Sequence, residues 1–283
     1  MCGCKATGGS NPPLSALRQA QGKPDKMLKM NSVKMRMEEK LLDKFHLVEA
    51  RHWWWEGRRE LIRQLLEKER INRVLDIGCG TGETLNFIKT LLPKAEVCGV
   101  DTSRVAVGYS KGRGHQKVFL ADGEKLPFKK NLFDAVLILD VLEHIEADKK
   151  AILEAKRVIK KGGVIIVSCP AFNALWSDHD TNQGHIKRYV INDFQKLAKA
   201  LNLKIEWVGY FNFFLSPVIA AVRWMSRIPG LKKMASYESG ANYEVANYGL
   251  INKVLKMIFV TEVKLTQKIN YPWGVSVAVK LRK

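Results

Sequence analysis

Four aspartates, Asp76, Asp101, Asp122 and Asp140, lie at or just beyond the ends of four apolar runs: Val74–Ile77, Val97–Val100, Val118–Leu120 and Ala135–Leu139. Directly after the first run, in RVLDIGCGTGE, three glycines stand at alternate positions, Gly78, Gly80 and Gly82. Glycine is needed where a backbone enters left-handed space or where a ligand must come close. The loop lacks the lysine and hydroxyl residue of a phosphate loop, and Glu83 stands where a dinucleotide fingerprint needs its third glycine. Four carboxylates around such a loop suit a ligand that is cationic and carries no phosphate. Asp76 can take an ammonium group. Asp101, 25 residues further on, can accept from both hydroxyls of a ribose. Asp122 can reach an adenine edge.

The elements that must position these groups follow from periodicity. From residue 73 the apolar runs alternate with stretches of helical spacing at Thr84–Leu92, Ser103–Ser110 and Lys149–Val158. A fifth apolar run, Val164–Ser168, precedes a helix at Ile191–Leu201, a strand at Leu203–Val208 and an alternating run, GVSVAVKL, at 274–281. Near-continuous apolar strands between helices predict a doubly covered, mostly parallel sheet. The acids and the glycine loop then gather at the carboxyl ends of its strands, where such sheets bind ligands.

With these motifs in order, the chain resembles the class I S-adenosylmethionine-dependent methyltransferases, in a bacterial type 11/12-like branch. VLDIGCGTG, GVDTS, ADGEKLPFKKNLFDAVLILDVLEHI and KKGGVIIVSCP carry the resemblance, over roughly residues 73–170. It implies a Rossmann-like three-layer α/β sandwich with a seven-stranded, mostly parallel sheet whose last strand is reversed. It also implies that S-adenosylmethionine binds with Asp76, Gly78, Gly80 and Gly82 around its methionine part. Asp101 and Thr102 would lie at the ribose, Asp122 and Gly123 at the adenine, and Asp140 on the methyl-donor side. The product would be S-adenosylhomocysteine. In DVLEHI, Asp140, Glu143 and His144 are read as opening the next helix, and no metal is expected.

The acceptor side is expected in CPAFNALWSDHDTNQGHIKRY, after the fifth strand. Its titratable groups include His179 and His185, either of which can serve as a general base or orient an acceptor. With Asp140 these are the expected catalytic residues. The alternative is that both histidines only hold the loop. Trp53, Trp54 and Trp55, in RHWWWEGRR, are expected in a lid that excludes water, with Tyr189 at the same mouth; simple packing of the N-terminal helices is the other reading.

The chain divides by composition into four parts: a disordered leader at 1–35, an N-terminal helical lid at 36–70, a core at 71–210 plus 271–283, and an apolar and basic helical insertion at 211–270. The leader lacks an apolar signal core, and Met27, Met30 or Met35 is an expected true start. Five cysteines without metal-ligand spacing suit a reducing cytoplasm. A net charge of +19 favours anionic partners or simply keeps the protein soluble. The insertion YFNFFLSPVIAAVRWMSRIPGLKKM sets apolar bulk beside Arg223, Arg227, Lys232 and Lys233, which suits either the inner face of an anionic membrane or a helix pair over the site. The expected acceptor is a small molecule, a lipid-linked compound or a glycan, methylated on oxygen. RNA or protein methylation is the rival, although no nucleic-acid-binding module is recognisable. A non-catalytic cofactor-binding protein is a further rival.

Overall fold

The computed structural model describes residues 40–225 and 249–283. The expected leader and the basic residues Arg227, Lys232 and Lys233 lie outside the described residues. A helix over 40–48 (α1) leads to α2 (Trp53–Leu66), and strands and helices then alternate. They are β1 (Arg73–Ile77), α3 (Glu83–Leu91), β2 (Glu96–Asp101), α4 (Arg104–Gly112), β3 (Val118–Leu120), β4 (Phe133–Leu139), α5 (Asp148–Val158) and β5 (Ile159–Pro170). After these come α6 (Asp178–Gln183), α7 (Ile191–Ala200), β6 (Lys204–Phe211), α8 (Ser216–Met225), α9 (Gly249–Leu265) and β7 (Ser276–Arg282).

The sheet has seven strands in the order β3-β2-β1-β4-β5-β7-β6. Neighbours run parallel except at β7, which is antiparallel to both β5 and β6. This is the expected Rossmann-like sandwich with its reversed last strand. Period-two side chains divide the core. Val136 and Ile138 of β4, Ile165 and Val167 of β5, and Val277 and Val279 of β7 face α5 and α7. Ala135, Leu137, Val164, Ile166 and Ala278 face α2 and α9. Asp76 alternates with Leu75 and Ile77, so it lies on the α2 side of the sheet.

Helices α2 and α9, from the segments expected as lid and insertion, pack together on one face of the sheet. Leu61, Ile62, Leu65 and Leu66 make a buried stripe on α2, and Phe259 and Val263 of α9 are buried in the same cluster. A Cβ on Gly57 would come within 2.1 Å of the Phe259 ring, so a glycine permits this helix contact. Asn252 of α9 caps the start of α2: Trp53 N donates to its Oδ1 at 2.9 Å, and its Nδ2 donates to Arg51 O at 2.8 Å.

For the three tryptophans the contacts match the second of the two expected roles, packing of the N-terminal helices. They begin α2, and 100° per residue sends them three ways. Trp53 meets the edge of Phe259, Trp54 stacks on Phe211 and Phe259, and Trp55 meets the edge of Phe45. Their contacts are those of helix packing. Tyr189 also belongs to the core: it is 1% exposed, stacks on Phe194, and its hydroxyl donates to Leu142 O and Asp148 Oδ2, both 3.1 Å away. DVLEHI does not open α5. Leu142–His144 forms a separate 3-10 turn, and α5 begins four residues later at Asp148.

Candidate active site

The glycine loop turns over the end of β2. Gly78 N and Cys79 N both donate to Val100 O, at 2.8 and 3.0 Å. Gly78, Gly80 and Gly82 have φ of 73°, 53° and 92°, a region that costs other residues about 1–2 kcal/mol. A Cβ on Gly78 would lie 2.3 Å from Val141 Cγ2, and one on Gly82 would lie 2.6 Å from Ser110 Oγ. At Gly80 it would meet no protein atom within 4 Å. The first and third glycines are thus required by the fold, and the second faces open space. Gly80→Ala is expected to leave the protein folded and to lower cofactor affinity at least tenfold, read by titration calorimetry beside a thermal melt.

The loop is held from both sides. Asp101 Oδ2 accepts from Gly80 N at 2.9 Å, Asp101 Oδ1 accepts from Ser103 N at 2.8 Å, and Ser110 Oγ donates to Gly80 O at 2.9 Å. Burial raises the Asp101 pKa against these bonds. Asp122 accepts from Glu124 N at 2.9 Å in an Asx turn, which carries the buried Gly123 beneath Ile77. Thr102 is exposed.

Asp76 is 2% exposed, and its Oδ1 has no hydrogen-bond partner. Burial pushes its pKa up to about 7, against the pull of Arg58 and with a further push from Asp101. Arg58 Nη1 pairs with Asp140 Oδ2 at 2.7 Å, while Ser168 Oγ donates to Asp140 Oδ1 at 3.2 Å. Arg58 Nε is buried without a hydrogen-bond partner. Asp140 itself has φ 55°, a strained position that persists where surroundings fix it. An unsatisfied carboxylate oxygen and an unsatisfied guanidinium N–H in one neighbourhood match a zwitterion. An amino-acid ammonium satisfies Asp76, and its carboxylate satisfies Arg58. The residues present therefore fit the methionine end of S-adenosylmethionine.

Sequence reasoning missed Arg58. The available signal was its position three before Leu61 and seven before Leu65, on the buried stripe of α2, where a charge requires a partner. It also missed Glu49, which is buried, accepts from the Thr81 hydroxyl and pairs with Arg113 Nη2 at 2.9 Å. Glu49 ties the segment after α1 to the glycine loop.

Across from Asp140 lies the loop around α6. Asp180 is 0% exposed and meets Arg188 through two bonds, Nε–Oδ1 at 2.8 Å and Nη2–Oδ2 at 2.9 Å. Its Oδ1 also meets His185 Nδ1 at 2.8 Å. The loop so anchored sets the His185 ring 4.9 Å from the His144 ring, centroid to centroid. His179 lies further out, its ring 6.4 Å from the His185 ring and its Nε2 3.1 Å from Gln183 Nε2. Burial and the Arg223 charge push its pKa down to about 4, which makes it a weak base. Burial and the Asp140 charge push the Glu143 pKa well up. The structure thus brings Asp140, Glu143, His144 and His185 to one end of the site, and His179 to its margin.

A glycine loop at the strand ends, an unsatisfied carboxylate and guanidinium beside it and a histidine-lined far end make up the candidate site. Residues 75–167 match the family model described as methyltransferase domain. Over 95 residues the chain is 48% identical to an uncharacterised protein of Methanocaldococcus jannaschii, covering 34% of this chain and 43% of that protein. Over 154 residues it is 30% identical to demethylmenaquinone methyltransferase of Staphylococcus aureus, covering 50% of this chain and 61% of that protein. The chain spans about half the length of the curated relatives it matches. Among solved structures, a Thermotoga maritima S-adenosylmethionine-dependent methyltransferase superposes with a TM-score of 0.52 at 17% identity, over 88% of this chain and 99% of that one. A [4+2]-cyclase gives 0.52 at 19%, over 81% and 80%. These identities speak for the fold alone. Residues 75–167 are a methyltransferase domain of the class I, S-adenosylmethionine-dependent kind.

Proposed function

We propose that the protein transfers a methyl group from S-adenosylmethionine to the oxygen of a small-molecule or lipid-linked acceptor. The observation that carries the reading is the complementary pair of unsatisfied buried atoms, Asp76 Oδ1 and Arg58 Nε, beside a glycine loop open at Gly80. When bound, the cofactor supplies a methyl group activated on a sulfonium. The chain's own residues bind and align. Asp76 and Arg58 take the amino-acid end, Asp101 keeps the loop in shape and faces the ribose, and Asp122 and Gly123 bound the adenine end. Such transfer needs an in-line approach and exclusion of water more than it needs help to the leaving group. An oxygen acceptor must also lose its proton, and the end of the site near Asp140, lined by His144 and His185, is where that occurs.

A small, apolar acceptor is favoured by the quinone-pathway name of the Staphylococcus relative. It is also favoured by the exposed apolar residues Phe214, Val218 and Trp224 before and on α8, and Leu250, Ile251 and Met257 on α9. Among the described residues no helix is long and apolar enough to cross a membrane; a lipid-linked acceptor would be met by the exposed apolar residues of α8 and α9. A glycan acceptor shares the same chemistry at oxygen. The cyclase neighbour shows that the fold also serves other chemistry, so the test must follow the methyl group. Methyl-labelled cofactor is incubated with the protein and separated lipid, small-molecule, glycan, protein and RNA fractions of its host. Label in one of the first three is expected. Label in RNA or protein overturns the acceptor class, and no label despite cofactor binding overturns transfer itself.

A further inference from the structure

The far end of the site holds more than a base. Glu143, His144 and His185 each offer one ligand atom, and these atoms all lie within 4.8 Å of one another. We propose that these three side chains bind one divalent first-row transition cation beside Asp140. The proposal departs from the sequence expectation of no metal, and it rests on the methyl-transfer reading only for what the cation would do.

Three observations carry it. First, both imidazoles are oriented from behind. His185 Nδ1 meets Asp180 Oδ1 at 2.8 Å, and Asp180 is kept as an anion by Arg188. His144 Nδ1 meets the Gly184 carbonyl at 3.3 Å. A carboxylate and a carbonyl only accept, so each ring places its proton on Nδ1 and leaves Nε2 with a lone pair. Carboxylate or carbonyl support of the remote nitrogen is the usual arrangement of metal-ligating histidine. Second, Glu143 is 1% exposed, and its Oε2 has no hydrogen-bond partner. A buried, unsatisfied carboxyl oxygen beside two imidazole lone pairs is a set that a cation satisfies by displacing the carboxyl proton. Third, the two ligand-bearing loops are fastened together. Ile186 N donates to Glu143 O at 2.8 Å, and Tyr189 Oη donates to Leu142 O at 3.1 Å. The core position of Tyr189 thereby acquires a function, because it fixes the turn that carries two of the ligands.

The donor set names the ion. Metal–ligand distances of about 2.0–2.2 Å place ligand atoms roughly 3–4 Å apart, so small side-chain rotations from the present spacing complete the shell. Two imidazoles and one carboxylate suit zinc, manganese, iron(II) or cobalt(II) rather than calcium. Three protein ligands leave open positions, the mark of a site that takes a substrate oxygen. On the methyl-transfer reading, the acceptor hydroxyl binds there and loses its proton to water more readily. Its oxygen then forms the new O–C bond as the C–S bond breaks and the electron pair goes to sulfur. His185 is a ligand in this scheme, and the base is water.

The test uses the full-length protein freed of metal with a chelator and titrated with Mn(II), with unbound ion followed by its paramagnetic resonance signal. One equivalent is expected to bind. Glu143→Gln, His144→Ala and His185→Ala are each expected to weaken binding at least tenfold, while calorimetry shows cofactor affinity within about threefold of wild type. Mn(II) binding unchanged in all three variants, or no binding by the wild type, overturns the proposal. Mn(II) binding is read without turnover, so a protein that holds the ion but transfers no methyl group refutes the functional reading and leaves this one standing.

Discussion

Asp76→Asn is expected to make the protein more stable and to weaken its hold on the cofactor. The Asp76 carboxyl has an ordinary value of 3.8 and is pushed up to about 7 in the fold, mainly by burial. Between those values the folded state keeps a proton that the unfolded state has lost. Its contribution to stability therefore falls as pH rises from about 4 to about 7, and is flat above. Three pH units correspond to roughly 4 kcal/mol. Denaturant titrations should show the variant ahead of wild type by up to that amount at pH 8, with the gap closing near pH 4. Binding runs the other way. An ammonium ligand needs the anion, so wild-type affinity should drop about tenfold for each pH unit below 7. The variant should bind about 10- to 100-fold more weakly at pH 8. Calorimetry at several pH values checks both. A variant that binds as tightly as wild type would remove Asp76 from the site. Arg58 and Asp101, which face Asp76, act on it with opposite sign.

The second large effect is expected at Asp180. Asp180→Ala leaves Arg188, 1% exposed at its side chain, without the partner that takes two of its bonds. Its remaining contact is Nη1 to Ala171 O at 2.8 Å. Removing one member of a buried pair typically costs about 3–5 kcal/mol. Urea unfolding should show a loss of that size, and Arg188→Met in the same background should recover a large part of it. The bonds from His185 and Arg188 outweigh burial and hold the Asp180 carboxyl below the ordinary carboxylate range. The contribution of the pair is therefore complete above about pH 4 and is lost on acidification below it. A loss under about 1 kcal/mol would mean that this loop is anchored elsewhere.

Much of the core was legible because its signals are local. Buried parallel strands are continuous apolar runs, and the glycines at 78, 80 and 82 announce a backbone that only they adopt easily. The acids could be placed because each lies near or just beyond the carboxyl end of its own strand. What could not be read depends on contacts far apart in sequence. Arg58 meets Asp140 across 82 positions, and Glu49 meets Thr81 across 32. The sequence left the tryptophans between lid and helix packing because the start of α2 carries a weak local signal. His52 Nδ1 accepts from Trp54 N, but the cap of Trp53 N comes from Asn252, 199 residues away. DVLEHI was read as a helix start because its residue types suit one. Its 3-10 turn ends at Ile145, an extended residue that separates it from α5.

The position of β7 governs the order in which the molecule can be completed. The strand lies between β5 and β6 and is the sheet partner of both: Val164–Pro170 pair with it on one side and Lys204–Phe211 on the other. On a ribosome, β6 emerges some seventy residues before that partner exists. Until then its backbone groups have no neighbour in the sheet, and the apolar face of β5 is uncovered at that edge. The stretch from β1 to β5 contains its own pairings and can assemble first, while the remainder waits for a single late insertion. Long-range closure of this kind slows folding and exposes sticky edges meanwhile. The growing chain is thus most vulnerable to aggregation between the synthesis of β6 and that of β7.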